Sequence, residues 1–178
     1  MSDHTQGLWL WVAHPEHTQE SDGSDRLELE PEYKSRRDVW WTCSEETRSG
    51  DLVLLYRTAP YSEVHWLLKT HGTRYSIDRD PTARREGWRW GTAYEVLASF
   101  DNTVTFAEMS NSQPLARWDA IDRNLQGGHV PDEPGVWPVP TVYWRAMVTR
   151  LIRRNPQTKA VFANRLDPTP DWLQEGAT

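Results

Sequence analysis

The chain has 178 residues, of which 26% are charged and 37% hydrophobic, and its formal net charge is −6. This length suits one domain that buries a sizeable core. Non-specific nucleic-acid binding depends on lysine and arginine to neutralise phosphates. The acidic balance therefore excludes a general coat for DNA or RNA. It leaves open a protein that reads a base through a pocket beside a local basic patch.

Compartment and covalent chemistry are also limited by composition. No apolar run approaches the roughly 20 residues that a membrane helix requires. Residues 1–7 are polar and acidic, which is not the pattern of a secretory signal. Cys43 is the single cysteine, so neither an internal disulfide nor a multi-cysteine zinc site can form within the chain. We expect a cytoplasmic protein with no membrane partner and no cofactor.

The hydrophobic pattern predicts a sheet of about five to six strands. Residues 7–14 are apolar on both sides, and residues 52–56 form a solid apolar run after the Gly50-Asp51 turn, as in buried strands. Residues 64–73 are expected to pair with the latter run. Residues 88–100 predict a long strand that closes at Asp101-Asn102, and residues 27–29 a short one.

Helices are predicted mainly in the second half. Thr105 precedes a helical region ending near residue 125, and Thr141 precedes a helix that Pro156 stops. Residues 79–87 and 135–140 are predicted as loops. The mixed order of strands and two to four helices is an α+β pattern. We expect a single domain over residues 1–156 and a partly ordered tail over residues 157–178.

Tryptophan is unusually frequent, with eleven in the chain. Most must be structural, because tryptophan is usually a core or interface residue. The run Trp40-Trp41-Thr42-Cys43-Ser44 differs, because it places aromatic plates beside small hydrogen-bonding groups. This combination suits a flat ring with polar edges, such as a nucleobase.

The same run carries a family resemblance. It resembles the EVE domain and its relative the YTH domain. The resemblance includes the strand that follows, Gly50-Asp51-Leu52-Val53-Leu54-Leu55-Tyr56, and the earlier strand at residues 8–14, which ends in Pro15-Glu16. The resemblance covers roughly residues 8–152. It implies a PUA-like fold, a curved mixed or antiparallel sheet (pseudobarrel) flanked by helices.

The resemblance also implies a site. In YTH proteins the tryptophan before Cys-Ser is a wall of a base-binding cage. Here Thr42 is inserted, which leaves open whether Trp40 or Trp41 has that position. Trp88 and Trp90 are predicted on one strand face, about 7 Å apart at two residues of strand rise, opposite that wall. The remaining candidates for contacts to a base edge are Thr42, Cys43, Ser44, Tyr56, Asp101 and Asn102, and those for phosphate are Arg57, Arg84, Arg85 and Arg89.

The sequence indicates enzymatic catalysis and metal binding only weakly. Cys43 with His65 or His71 could form a thiol nucleophile and base, but a lone cysteine after a strand is more often a small buried hydrophobe. No histidine spacing is typical of a metal site; His14-Pro15-Glu16-His17 is the nearest, and we interpret it as a turn. The lysine–glutamate motif of the related ASCH amidohydrolases is absent. The chain is thus predicted not to be an enzyme.

The resulting prediction is a reader that binds a modified base in an aromatic cage by base flipping. Modified cytosine in DNA fits the resemblance best. Without a nuclease motif of its own, the chain would work beside a separate nuclease or defence partner. The alternatives are a YTH-like reader of methylated adenine in RNA, a small hydrolase acting on a modified nucleoside, and a protein-interaction domain whose tryptophans are all core.

Overall fold

The computed structural model describes residues 6–35 and 39–165. A six-stranded mixed sheet in the order β2-β5-β4-β3-β1-β6 forms the centre of the fold. Its strands are β1 (Leu8–Ala13), β2 (Trp41–Cys43), β3 (Leu52–Arg57), β4 (Glu63–Ser76), β5 (Trp90–Thr105) and β6 (Val136–Pro138). The helices within the described ranges are α1 (Pro15–Thr18), α2 (Pro81–Glu86), α3 (Phe106–Asn111), α4 (Asp119–Asp122), α5 (Thr141–Arg154) and α6 (Lys159–Arg165). The predicted α+β near-barrel is confirmed.

β3 is buried along its whole length because both faces of the sheet are covered. Alternate side chains of a strand point to opposite faces. Leu52 and Leu54 accordingly enter one core cluster, with Trp144 of α5. Val53 and Leu55 enter a second cluster, rich in tryptophan. Burial on both faces, as the continuous apolar run predicted, is confirmed.

The long strand is displaced from its prediction. β5 begins at Trp90 and continues to Thr105, because β4 pairs with it as far as Glu63 opposite Thr105. Asp101 and Asn102 therefore lie inside the strand, and the prediction that they close it is wrong. Trp88 precedes the strand, so it does not share a strand face with Trp90.

α2 replaces the predicted charged loop. The Asp80 carboxylate accepts a hydrogen bond from the Ala83 amide at 3.0 Å, and Pro81 occupies the first turn, where its missing N–H costs nothing. Gly87 ends the helix with a φ of 78°, a left-handed conformation that favours glycine. The sequence contains three signals for a helix here: a capping residue, a proline in the first turn and a terminal glycine. Together they outweigh the high local charge, which by itself predicts a loop.

Three other elements differ from their predictions. The helical region of residues 104–125 is broken into α3, a 3-10 turn and α4, because Pro114 has no N–H for a continuous helix. Residues 27–29 form a 3-10 helix instead of a strand, and residues 136–138 form β6 instead of a loop. Thr105 caps α3 as predicted, its hydroxyl accepting from the Glu108 amide, whereas the N-cap of α5 is Pro140.

The C-terminal part of the described chain joins the core. Phe162 of α6 is fully buried and stacks on Phe100 of β5, with ring centroids 6.1 Å apart. Residues 166–178 lie outside the described residues. Among the helices of the described ranges, none is long and apolar enough to cross a membrane.

Candidate nucleic-acid interface

A cavity of about 420 Å³ opens where α1, β2 and α2 meet. The elements bring different side chains to it: α1 and α2 supply polar and charged groups, and β2 with the residue before it supplies two indoles and the Thr42 side chain. The described residues that line it are Glu16, His17, Arg26, Glu28, Leu29, Val39, Trp40, Trp41, Thr42, Asp80, Thr82, Arg85, Trp88 and Tyr94. The sheet fixes β2 through the Trp41–Thr92 pair with β5.

Three indoles form the aromatic corner, defined as Trp40, Trp41 and Trp88. The rings of Trp40 and Trp88 are perpendicular, at 86°, with centroids 6.1 Å apart. Trp41 is 9% exposed and belongs to the core cluster beneath, and its indole N–H makes no hydrogen bond within the described residues. An aromatic ring entering this corner would stack on one indole and meet the edge of another, a favourable aromatic geometry.

The charges around the aromatic corner are mixed. The Arg26 guanidinium is held by main-chain carbonyls, at 3.0 Å from Glu16 O and 3.3 Å from Gln19 O. Burial lowers the pKa of His17 below its ordinary value, although Glu16 and Glu86 oppose that shift. Burial thus favours the neutral imidazole form of His17, whose ring contacts Trp88 edge-on at 5.3 Å.

The floor of the cavity is fixed by Tyr94 of β5. Its hydroxyl donates a hydrogen bond to the Glu28 carbonyl at 3.0 Å. Burial raises the pKa of this phenol well above its ordinary value, so Tyr94 stays neutral. A neutral, bonded tyrosine holds the 3-10 turn that contains Glu28 against the sheet.

A second cavity, of about 510 Å³, lies on the other side of Trp88. Trp88 lines both cavities, and Glu86 lines the second. Ser62, Asn124 and Leu125 line the second one with φ values of 49°, 55° and 55°. Such left-handed backbone in non-glycine residues is uncommon and often accompanies functional sites. Trp88 thus separates the two cavities.

The predicted base-contacting residues divide into two groups. Trp40, Trp41, Thr42 and Trp88 line the first cavity, so both tryptophans of the pair border it, and the one that contacts a base stays a prediction. Cys43, Ser44, Trp90, Asp101 and Asn102 do not line it, and Tyr56 lines the second cavity. The predicted Trp88–Trp90 pair does not form.

Specific contacts explain why these residues lie elsewhere. The Arg74 guanidinium lies 5.2 Å from the Trp90 ring centroid. The Ser44 hydroxyl accepts from the Glu46 amide at 3.1 Å. Asn102 is bound to the end of α5, where its side chain donates to the Arg154 carbonyl at 3.1 Å.

The four arginines predicted to contact phosphate also lie in different surroundings. Arg57 is 8% exposed, donates to Glu63 through Nε at 3.0 Å and Nη2 at 2.7 Å, and is thereby committed to a buried ion pair. Arg84 donates to the Asp78 carbonyl at 2.6 Å, and Arg89 lies 3.2 Å from Asp132. Of the four, Arg85 lines the cavity, with an exposed side chain.

Sequence reasoning missed the α1 side of the cavity. The sequence pattern predicts a turn at Glu16 and His17 and does not indicate a role for Arg26 or Tyr94. A signal was present for α1: Pro15, at the first position of the helix, followed by Glu16 in the first turn, is favourable for a helix start. No local pattern signals Tyr94, which meets the cavity because β5 pairs with β2 beneath it.

Cys43 is expected to be chemically inert in the folded protein. It is buried, and burial raises the pKa of its thiol to about 12, so little thiolate forms at pH 8. We expect an aromatic disulfide reagent to label native protein far more slowly than protein unfolded in guanidinium chloride, measured by the absorbance of the released thiolate. Rapid stoichiometric labelling of the native protein would contradict this and revive Cys43 as a nucleophile.

Sequence comparison finds no relative: no protein-family model matches the chain, and no curated protein matches it. Solved structures do resemble it. A hypothetical protein from Leishmania major has a TM-score of 0.58 at 16% identity, over 84% of this chain and 97% of that one. The DUF55 domain of human thymocyte nuclear protein 1 has a TM-score of 0.53 at 12% identity, over 81% and 98%. Human THYN1 protein in complex with 5-methylcytosine-containing DNA has a TM-score of 0.50 at 11% identity, over 82% and 97%.

These similarities establish the fold. The chain has the PUA-like α+β architecture, with an aromatic-walled cavity between its edge strand β2 and two short helices.

Proposed function

We propose that the protein is an EVE-like module that reads a modified base in nucleic acid, most specifically modified cytosine in DNA. The observation that carries the proposal is the aromatic corner at the mouth of a cavity of about 420 Å³. Cavities of this size hold small flat ligands. The fold likeness to a human protein solved with 5-methylcytosine-containing DNA adds support for the choice of cytosine.

The proposed mode of binding follows from the perpendicular indoles. A base extruded from its strand stacks on one ring and places its edge against the other. Stacking contributes roughly 1–3 kcal/mol per base. A methyl group on the base adds apolar surface that the corner buries, and burying one such group contributes about 0.8 kcal/mol. Extrusion costs a few kcal/mol, so unmodified duplex should bind poorly.

Contacts with the phosphate backbone of the nucleic acid are expected to contribute little to the binding affinity. Arg85 lies at the cavity and is exposed, but Glu16, Glu28 and Asp80 line the same cavity. Few phosphates can be neutralised on such a surface, so the affinity should depend only weakly on salt concentration. Selectivity would then rest on the base.

The test is a titration of the whole protein, monitored by tryptophan fluorescence. The ligands are short DNA and RNA oligonucleotides of one sequence, either plain or with methylated cytosine, hydroxymethylated cytosine or methylated adenine. We expect saturable quenching that is strongest with a modified-cytosine DNA. Preference for methylated adenine in RNA would replace the proposal by the RNA-reader alternative. An equal or absent response to every oligonucleotide would overturn it.

The remaining parts of the proposal concern context. We propose binding without turnover, in the cytoplasm, beside a separate nuclease or defence protein. The buried Cys43 supports the absence of a thiol nucleophile. Release of a modified nucleoside or of its altered base, followed by chromatography after incubation with the protein, would favour the hydrolase alternative instead.

A further inference from the structure

Three metal-ligating side chains meet between α1 and α2. Glu16, His17 and Glu86 each place one ligand atom so that all three atoms lie within 4.8 Å of one another. The two helices are far apart in sequence and are brought together by the fold. The triad borders the first cavity through Glu16 and His17 and the second through Glu86.

The spacing is close to that of a coordination shell. Ligand atoms held about 2.1 Å from a metal lie roughly 3–4 Å from one another. A separation of up to 4.8 Å therefore requires only a small side-chain rotation. Glu86 is the last residue of α2, where a rotation disturbs little.

His17 is the donor that suggests a ligand. Its Nε2 atom is buried and makes no hydrogen bond within the described ranges, although Glu16 Oε1 lies 3.4 Å away. A buried polar atom without a hydrogen bond is costly and requires an explanation. A cation between Nε2 and the two carboxylates would satisfy it.

The nearby arginines do not block the site. Arg26 is held by main-chain carbonyls. Arg85 Nε lies 3.2 Å from Glu86 Oε1, but its side chain is 65% exposed, and such surface pairs are weak. A metal ion bound to Glu86 would displace Arg85 toward solvent.

From these contacts we infer that Glu16, His17 and Glu86 form a binding site for a divalent transition-metal ion. One imidazole and two carboxylates suit Zn²⁺ or Mn²⁺ better than Ca²⁺, which takes oxygen ligands alone. Three protein ligands leave coordination positions open. If the proposed function holds, a phosphate oxygen of the bound strand can occupy one of them, and the metal with the released Arg85 supplies positive charge that the acidic rim lacks.

The test measures metal binding without nucleic acid, so its result is independent of the proposed function. Zn²⁺ is titrated into the whole chelator-treated protein by calorimetry, and Mn²⁺ is followed by electron paramagnetic resonance. We expect one ion per chain. His17→Ala and Glu86→Gln should each weaken binding by about tenfold or more, since even the loss of a residue that only orients a metal ligand costs roughly 10- to 100-fold.

Two matched variants separate this site from surface binding. His14→Ala removes a neighbouring histidine whose ring lies 6.4 Å from that of His17, and Glu28→Gln removes another carboxylate of the cavity. Both should bind metal as the unaltered protein does, and circular dichroism should show all four variants folded. Absent binding, or affinity unchanged in both His17→Ala and Glu86→Gln, would overturn the inference.

Discussion

Replacing Trp88 by alanine is expected to weaken binding of the preferred modified oligonucleotide by about 5- to 150-fold, which corresponds to the 1–3 kcal/mol of one base-stacking contact. Trp88 forms the aromatic corner with Trp40 and is shared by the two cavities. It is half-buried and precedes β5, so its removal should leave the sheet intact.

The matched control is Trp90→Ala. Trp90 is also half-buried and lies two residues away, but it does not line the cavity. Affinity is measured by fluorescence anisotropy of a labelled oligonucleotide, because the variants alter the intrinsic signal. We expect Trp90→Ala to bind within about twofold of the unaltered protein. Equal losses in both variants would favour the Trp88–Trp90 pair predicted from the sequence, and a loss with Trp90→Ala alone would place the base outside this cavity.

Replacing Asp51 by alanine is expected to lower the free energy of unfolding by about 3 to 5 kcal/mol, because three donors lose their shared acceptor. The carboxylate, 4% exposed, accepts from the Gly7 amide at 2.8 Å, the Trp9 indole at 2.9 Å and the Arg48 amide at 2.9 Å. It thus joins the start of β1 to the turn before β3, where the two strands begin their parallel pairing at Leu8 and Leu52.

Urea unfolding followed by circular dichroism measures this change. Asp51→Asn should cost less than Asp51→Ala, because the amide oxygen keeps part of the acceptor capacity. The exposed Asp78→Ala serves as a control and should change stability by about 0.5 kcal/mol at most. An Asp51→Ala protein as stable as the control would show that these hydrogen bonds contribute little.

The aromatic run of residues 40–44 shows what the local sequence pattern can and cannot predict about the site. Thr42 lines the cavity and Cys43 is buried in the core, although both are small and adjacent. Alternation puts Trp41 and Cys43 on one face of β2 and Thr42 on the other, yet both Trp41 and Thr42 line the cavity, so alternation alone does not predict which residues meet it. Which residues meet the cavity depends on the pairing of β2 with β5, a contact between segments about 50 residues apart.

Arg57 shows that the partner of a charged side chain is equally hard to predict from the local sequence. An arginine at a strand end is compatible with phosphate binding, and nothing local contradicts it. In the fold, Glu63 follows across the β3–β4 turn, and its Oε1 atom accepts hydrogen bonds from both Nε and Nη2 of Arg57. The Arg57 guanidinium also lies 3.8 Å from the Tyr61 ring centroid. The pairing of the two strands decides the partner.

The sequence by itself determined the α+β class, the buried strand after Gly50-Asp51, the cap of α3 and the aromatic run at β2, because each depends on local periodicity or backbone chemistry. Only the tertiary structure decided that Trp88 joins Trp40 instead of Trp90, that Arg57 is buried in an ion pair, and that His17 meets Glu86. The first and last of these contacts join distant segments, and the Arg57–Glu63 pair depends on the register of the β3–β4 hairpin. Strand pairing and helix docking fix all three, and local sequence periodicity does not predict them.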